Sequence, residues 1–340
     1  MRLYPDHGPM HPTERLRQRF AISAQTHQRL AFVALILLVV IVFTGSAVRL
    51  TGSGLGCPTW PRCTETSVYT ELNTHGVIEF GNRVLTSLVS AGAIAAALGS
   101  FLRRPLHPLR RDLAWLGVML PIGVVIQAVI GGLSVLYQLA PGWVMTHYVV
   151  SMLILIASFA LWWRSRLEPG EITEVRSERT VVLAVRALCA WAAVTIVLGT
   201  ASTAAGPHAG SAGTGELVHR LDFWGAKTLA HLINLHGTLA AILGLGAVAC
   251  WLLARRLAGN AELLLTLKLT GGLLATQGVV GILQYQLELP SEIVWVHVAL
   301  ATLTWVGFVH VWAAAGRPVE GPREQPASPS AERLVGEPVA

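Results

Sequence analysis

Residues 127–147 read QAVIGGLSVLYQLAPGWVMTH, and residues 277–297 read QGVVGILQYQLELPSEIVWVH. Both open on Gln, place Gly four residues later, pass a Pro and reach His sixteen residues after that Gly, at a constant offset of 150. A spacing shared at fixed offset marks an internal repeat, which has to be recognised before single motifs are interpreted. Further out, "GSAVRLTG" (45–52) aligns with "GTASTAAG" (199–206), each opening and closing on Gly seven apart. Aligning "THGVIEFGNR" (74–83) with "LAHLINLHGTLA" (229–240) places Asn82 opposite His236 and Glu79 opposite Ile233.

Hydrophobic residues make up 53% of the 340 and charged residues 13%, against about 25% charged in a soluble domain. Apolar runs long enough to cross a core of ~30 Å lie near 30–50, 75–101, 113–136, 143–163, 180–200, 229–253, 263–283 and 292–314. The fold class is an all-α integral membrane protein whose eight transmembrane helices form two tandem four-helix bundles by internal duplication. The N-terminal bundle takes 30–163 and the C-terminal bundle 180–314, with a cytoplasmic linker at 164–179 and a cytoplasmic tail at 1–29. Residues 315–340 are rich in Pro, Glu, Ser and Ala and are expected to be disordered. The first run follows a polar tail without a small-residue cleavage site, so it reads as a retained helix.

Basic residues mark the cytoplasmic side. They gather in the N-terminal tail (Arg15, Arg17, Arg19, Arg29) and in the loops after the second, fourth and sixth spans, including Arg103, Arg104, Arg164, Arg166, Arg255 and Arg256. Both termini are therefore expected inside, and segments 51–73 and 201–228 outside. The excess of positive charge reports topology and gives no ground for a nucleic-acid partner.

Cys189 and Cys250 lie within spans and read as small apolar residues. Cys57 and Cys63 lie in the outside loop "GSGLGCPTWPRC", where disulfides persist. Their five-residue spacing suits a closed loop, and an exposed bridge there is expected to be labile and redox-active.

His75, His147, His236 and His297 fall near the outer ends of the even-numbered spans. The others lie in tails, loops or, for His310, near an inner helix end. A lone membrane histidine is as readily an interhelical hydrogen bond as a ligand. Two at matching depth in one bundle suit the clamping of a haem iron from both faces, so His236 and His297 are the candidate ligands of a haem in the second half. The first half differs: His75, Glu79 and Asn82 share a helix face, with Arg83 beside them, opposite His147. One firm ligand beside a carboxylate suits chemistry, whereas two suit holding a cofactor. An i,i+4 ion pair with Arg83 is the structural alternative for Glu79.

With "RLTGSGLGCPTWPRC" (49–63), "IEFGNR" (78–83), His147, His236, His297 and the duplicated plan, the chain resembles the haem A synthases over about residues 30–314. The resemblance implies oxidation of a methyl group of haem O to a formyl group through successive hydroxylations, with dioxygen or water as the oxygen source. It implies a haem b between His236 and His297, a substrate haem site in the N-terminal half, and Glu79 as the essential carboxylate, placed to take up a proton or stabilise positive charge. The cysteine pair matches one branch of the family, where it is thought to help pass reducing equivalents. Haem O synthase and the terminal oxidase assembly pathway are the implied partners, and no electron donor is indicated. One position departs from the pattern: the second span usually carries Glu-x-x-His, and here the fourth residue is Asn82. Either His147 alone holds the substrate iron or His75 replaces the missing ligand, the first being preferred. Arg49 and Arg83 are candidates for pairing with haem propionates. A di-haem b electron-transfer protein would use histidines but not Glu79, and a duplicated-bundle transporter would bind no haem.

Overall fold

A computed structural model describes residues 12–70, 72–106, 108–167, 176–208, 210, 218–257 and 260–319. A short helix, α1 (Pro12–Arg19), precedes eight long ones: α2 (Ala24–Leu50), α3 (Thr74–Leu102), α4 (Arg111–Leu136), α5 (Pro141–Ser165), α6 (Arg179–Ala205), α7 (Thr228–Arg256), α8 (Ala261–Gln286) and α9 (Ser291–Ala315). All eight are long and apolar enough to cross a membrane. Their outward faces carry large apolar side chains such as Leu98, Trp115 and Val125, as a lipid solvent demands.

Most helices outrun their apolar runs because polar caps extend them. Ser23 Oγ accepts from Thr26 N at 3.0 Å and Asn73 Oδ1 from Gly76 N at 2.7 Å. Glu178 accepts from Thr180 N at 2.7 Å, and Asn260 Oδ1 from Leu263 N at 2.7 Å. Each cap satisfies amide donors that a helix start leaves unpaired. Pro141 occupies the first turn of α5, where its missing N–H costs nothing.

The tail boundaries differ from the expectation. Residues 12–19 are helical, and α2 begins at Ala24, so His27 lies within it, fully buried with Nε2 3.0 Å from Ser100 Oγ. At the other end Arg317–Pro318 pairs in parallel with Arg176–Ser177. Two-residue strands thus tie the start of the expected C-terminal tail to the expected linker. The rest of that tail, 320–340, and linker residues 168–175 lie outside the described residues.

Helices α2 to α5 pack as one bundle and α6 to α9 as another, with α2 and α5 facing α6 and α9 across the seam. Two indoles bond across it: Trp295 Nε1 donates to Phe43 O and Trp305 Nε1 to Met152 O, both at 2.9 Å. At the end carrying the histidines, Arg49 of α2 donates to His208 O (3.0 Å) and Thr203 O (3.2 Å). Gly54 N reaches Gly210 O at 2.8 Å.

Candidate functional site

A single cavity of about 1820 Å³ opens between the helices of both halves. Small-molecule sites usually measure about 300–1,000 Å³, so it has room for more than one large ligand. Glu79, Asn82, Arg83 and His147 line it from the first half, His236 and His297 from the second, and Arg49 at the seam.

Four of these side chains meet a glycine on a neighbouring helix. A Cβ on Gly131 would stand 3.1 Å from His147 Cε1, one on Gly199 2.9 Å from His236 Cε1, and one on Gly281 3.1 Å from His297 Cε1. On Gly45 it would lie 4.0 Å from Asn82 Nδ2. Each ring needs a bare backbone beside it, which explains why glycines recur next to these positions.

The rings of His236 and His297 stand 6.3 Å apart, centroid to centroid, at 76° between planes. Two metal–imidazole bonds of about 2.0 Å each leave ~2 Å for the two half-rings between nitrogen and centroid, so one metal atom fits between them. Their hydrogen bonds differ, and only that of His236 leaves a ring lone pair free. His236 Nδ1 donates to Thr195 O at 3.0 Å, which leaves the Nε2 lone pair free. Gln277 Nε2 lies 3.1 Å from His297 Nε2, where the amide donates and the imidazole lone pair accepts. His297 Nδ1 is buried without a protein partner among the described residues. No group of three His, Cys, Asp or Glu that could hold a metal occurs among those residues. His236 and His297 could supply two ligands to a metal, and a haem, which brings the other four itself, fits such a pair.

The first half is built differently. Gln127 Nε2 turns away from the His147 ring and donates to His147 O (2.9 Å) and Ser151 Oγ (2.6 Å), leaving His147 Nδ1 buried and unpaired. Asn82 Oδ1 accepts from Thr44 Oγ1 at 2.7 Å, so its amide nitrogen is the group left for the cavity. His75 belongs elsewhere. Its Nδ1 pairs with Ser53 Oγ at 2.9 Å, and it is absent from the cavity wall. Its placement in the first turn of α3, beside the loop, removes it as a replacement ligand.

Glu79 is buried and uses both oxygens: Oε2 accepts from Cys57 N and Oε1 from Arg83 Nη2, each at 2.7 Å. The i,i+4 ion pair is thus present, and it is one arm of a larger clamp. Arg83 also donates to Cys57 O (3.0 Å), Thr59 O (3.1 Å) and Arg62 O (3.2 Å). With these donors engaged, Arg83 serves the loop and is no free partner for a propionate. Arg49 spends Nε and Nη2 on the carbonyls of His208 and Thr203 and lines the cavity at the seam, which leaves it the better anion partner there.

Cys57 and Cys63 are joined by a disulfide. Contrary to the expected exposure, they are 0% and 1% accessible. The clamp folds the loop over the bond and shields it from an attacking thiolate.

Sequence reasoning missed Trp60. The loop lays its indole on α4, where a Cβ at Gly132 would overlap Cδ2, Cε2 and Cγ. The glycine pair Gly131–Gly132 was a signal: one serves His147, the other Trp60.

Residues 28–309 match the family model described as Cytochrome oxidase assembly protein (COX15-CtaA). The chain belongs to this family. It is 26% identical over 125 residues to "Heme A synthase" of Bacillus pumilus, covering 36% of this chain and 40% of the relative. It is 28% identical over 132 residues to that of Lysinibacillus sphaericus, covering 38% and 42%. The match to the Geobacillus kaustophilus protein is 27% over 124 residues, covering 36% and 38%. The alignments thus span about two fifths of these curated relatives. Membership of the COX15-CtaA family bears out the resemblance drawn from the motifs, and with the eight apolar helices it makes the chain a multi-pass membrane protein.

Proposed function

We propose that the protein is a haem A synthase that oxidises a methyl group of haem O to a formyl group. The observation that carries this is an asymmetry: the His236 and His297 rings stand 6.3 Å apart in one half, while the other lines the cavity with His147, Asn82 and a buried carboxylate, Glu79. The C-terminal half holds a haem b through His236 and His297, and what that group supplies when bound is a one-electron redox couple.

The chain's own residues do the rest. Thr195 holds the His236 imidazole in the tautomer that leaves Nε2 for a metal, and Gln277 has to release the His297 Nε2 lone pair before that ring can bind one. His147 holds the iron of the substrate haem, and Asn82 offers an amide donor. Hydrogen bonds from Cys57 N and Arg83 Nη2 hold the Glu79 carboxylate fixed, placed to take up a proton beside the reacting edge. The repeat spacing supports two tandem four-helix bundles, and the basic loops support cytoplasmic termini with the histidine end outside. Haem O synthase would supply the substrate, and terminal oxidase assembly would receive the product.

Cells expressing the protein beside a haem O synthase should yield extractable haem A. Its absence, with both proteins present, would favour a di-haem b electron-transfer protein. A purified protein without haem bands would leave a transporter.

A further inference from the structure

We infer that Trp60 is a wall of the first-half site that contacts the flat face of a bound macrocycle, and that Glu79 and Arg83 fix its position through the disulfide loop. Resting on the haem A synthase assignment, this adds a specificity-determining contact to the proposed substrate site.

The indole lies on the cavity wall beside Pro61, Gly131 and Gly132, 39% exposed although it packs on the bare Gly132 backbone. One face is covered by α4, and the rest of the ring is left for the cavity. The loop beneath it is held on both sides. Arg83 takes the carbonyls of Thr59 and Arg62, which flank the Trp60–Pro61 step, and Thr59 Oγ1 donates to Arg62 O at 2.9 Å. At the loop's root Glu79 takes the Cys57 N–H, and the Cys57–Cys63 bond closes the ring of backbone. A short loop with one exposed aromatic and so many anchors presents that aromatic in a fixed place.

The second half lines the cavity with aromatics of its helices, such as Trp251 and Tyr285, and offers no glycine seat for a loop indole at the equivalent position. The position 150 after Gly132 is Ile282, which also lines the cavity but has a side chain where Gly132 leaves the backbone bare. The half with paired histidines holds its ligand by coordination. The half with one histidine needs another surface to orient a flat ligand, and an aromatic ring stacks well on a conjugated macrocycle.

The test is a titration of detergent-purified protein with ferric protohaem, followed by absorbance. The first equivalent fills the His236–His297 site and serves as the folding control. Trp60→Ala should weaken only the second equivalent, by roughly three- to tenfold, the range expected for a lost aromatic contact. Trp60→Phe should restore most of it. Gly132→Ala should repeat the Trp60→Ala defect with the indole still present, because the new Cβ displaces the ring. In turnover, Trp60→Ala should raise KM for haem O with kcat little changed. The inference is overturned if Trp60→Ala binds the second equivalent as wild type does, or if wild type binds only one macrocycle. If the second equivalent is weakened as described but the wild type makes no haem A, the Trp60 contact stands and the synthase assignment falls.

Discussion

Glu79 Oε2 accepts the backbone N–H of Cys57 at 2.7 Å, so a carboxylate on α3 and the root of a disulfide loop hold each other in place. Replacing Glu79 by Ala removes the carboxylate from the cavity without touching the histidine pair. Haem A should fall below detection in extracts, while the b-type spectrum keeps its intensity. An unchanged haem A yield would take Glu79 out of the mechanism.

Arg83→Ala frees three loop carbonyls and leaves Glu79 without its ion pair. Stranding a buried charge is expensive, so stability should drop by about 2 kcal/mol, visible as a lower Tm. The loop would also uncover the Cys57–Cys63 bond. Dithiothreitol should reduce it faster than in wild type, and equal rates would mean that the clamp does not shield it.

His236→Ala and His297→Ala should each abolish the bis-imidazole haem spectrum, since either leaves one protein ligand. Asn82→His works in the opposite sense. It places an imidazole on the first-half wall that His147 also lines, and should raise bis-imidazole haem from one to two per chain. Full haem content in both alanine variants would refute the ligand assignment.

The glycines divide into two kinds. Gly281→Val puts a branched side chain where even a Cβ is 3.1 Å from His297 Cε1, and haem affinity should fall roughly tenfold, as when a ligand loses its support. Gly272→Ala, off the cavity wall, meets nothing within 4 Å. It should leave haem binding alone and raise stability by up to about 1 kcal/mol. Both are read by haem-to-protein ratio and melting temperature.

The eight spans were legible in the sequence because lipid demands long apolar runs, and their ends were not because caps such as Ser23 and Asn260 are polar. The offset of 150 located Gly131, His147, Gly281 and His297, and it recurs in the backbone: Gln138 and Leu139 have φ 50° and 57°, Glu288 and Leu289 62° and 65°. What the repeat could not reveal is what only one half possesses. The grip of Glu79 and Arg83 on residues 57–62, the capture of His75 by Ser53 and the seat of Trp60 on Gly132 all depend on how one irregular loop folds back. No periodicity encodes that path.

The indole bonds from Trp295 to Phe43 and from Trp305 to Met152 cross the seam inside the membrane-spanning region. The Trp305 bond is buried, so no water competes for the Met152 carbonyl, and an indole that let go would find no substitute acceptor. Cohesion of the halves is therefore written into facing helix surfaces and does not require the peptide that joins them. A gene split between Leu167 and Arg176 should yield two fragments that find each other in the bilayer and rebuild the shared chamber.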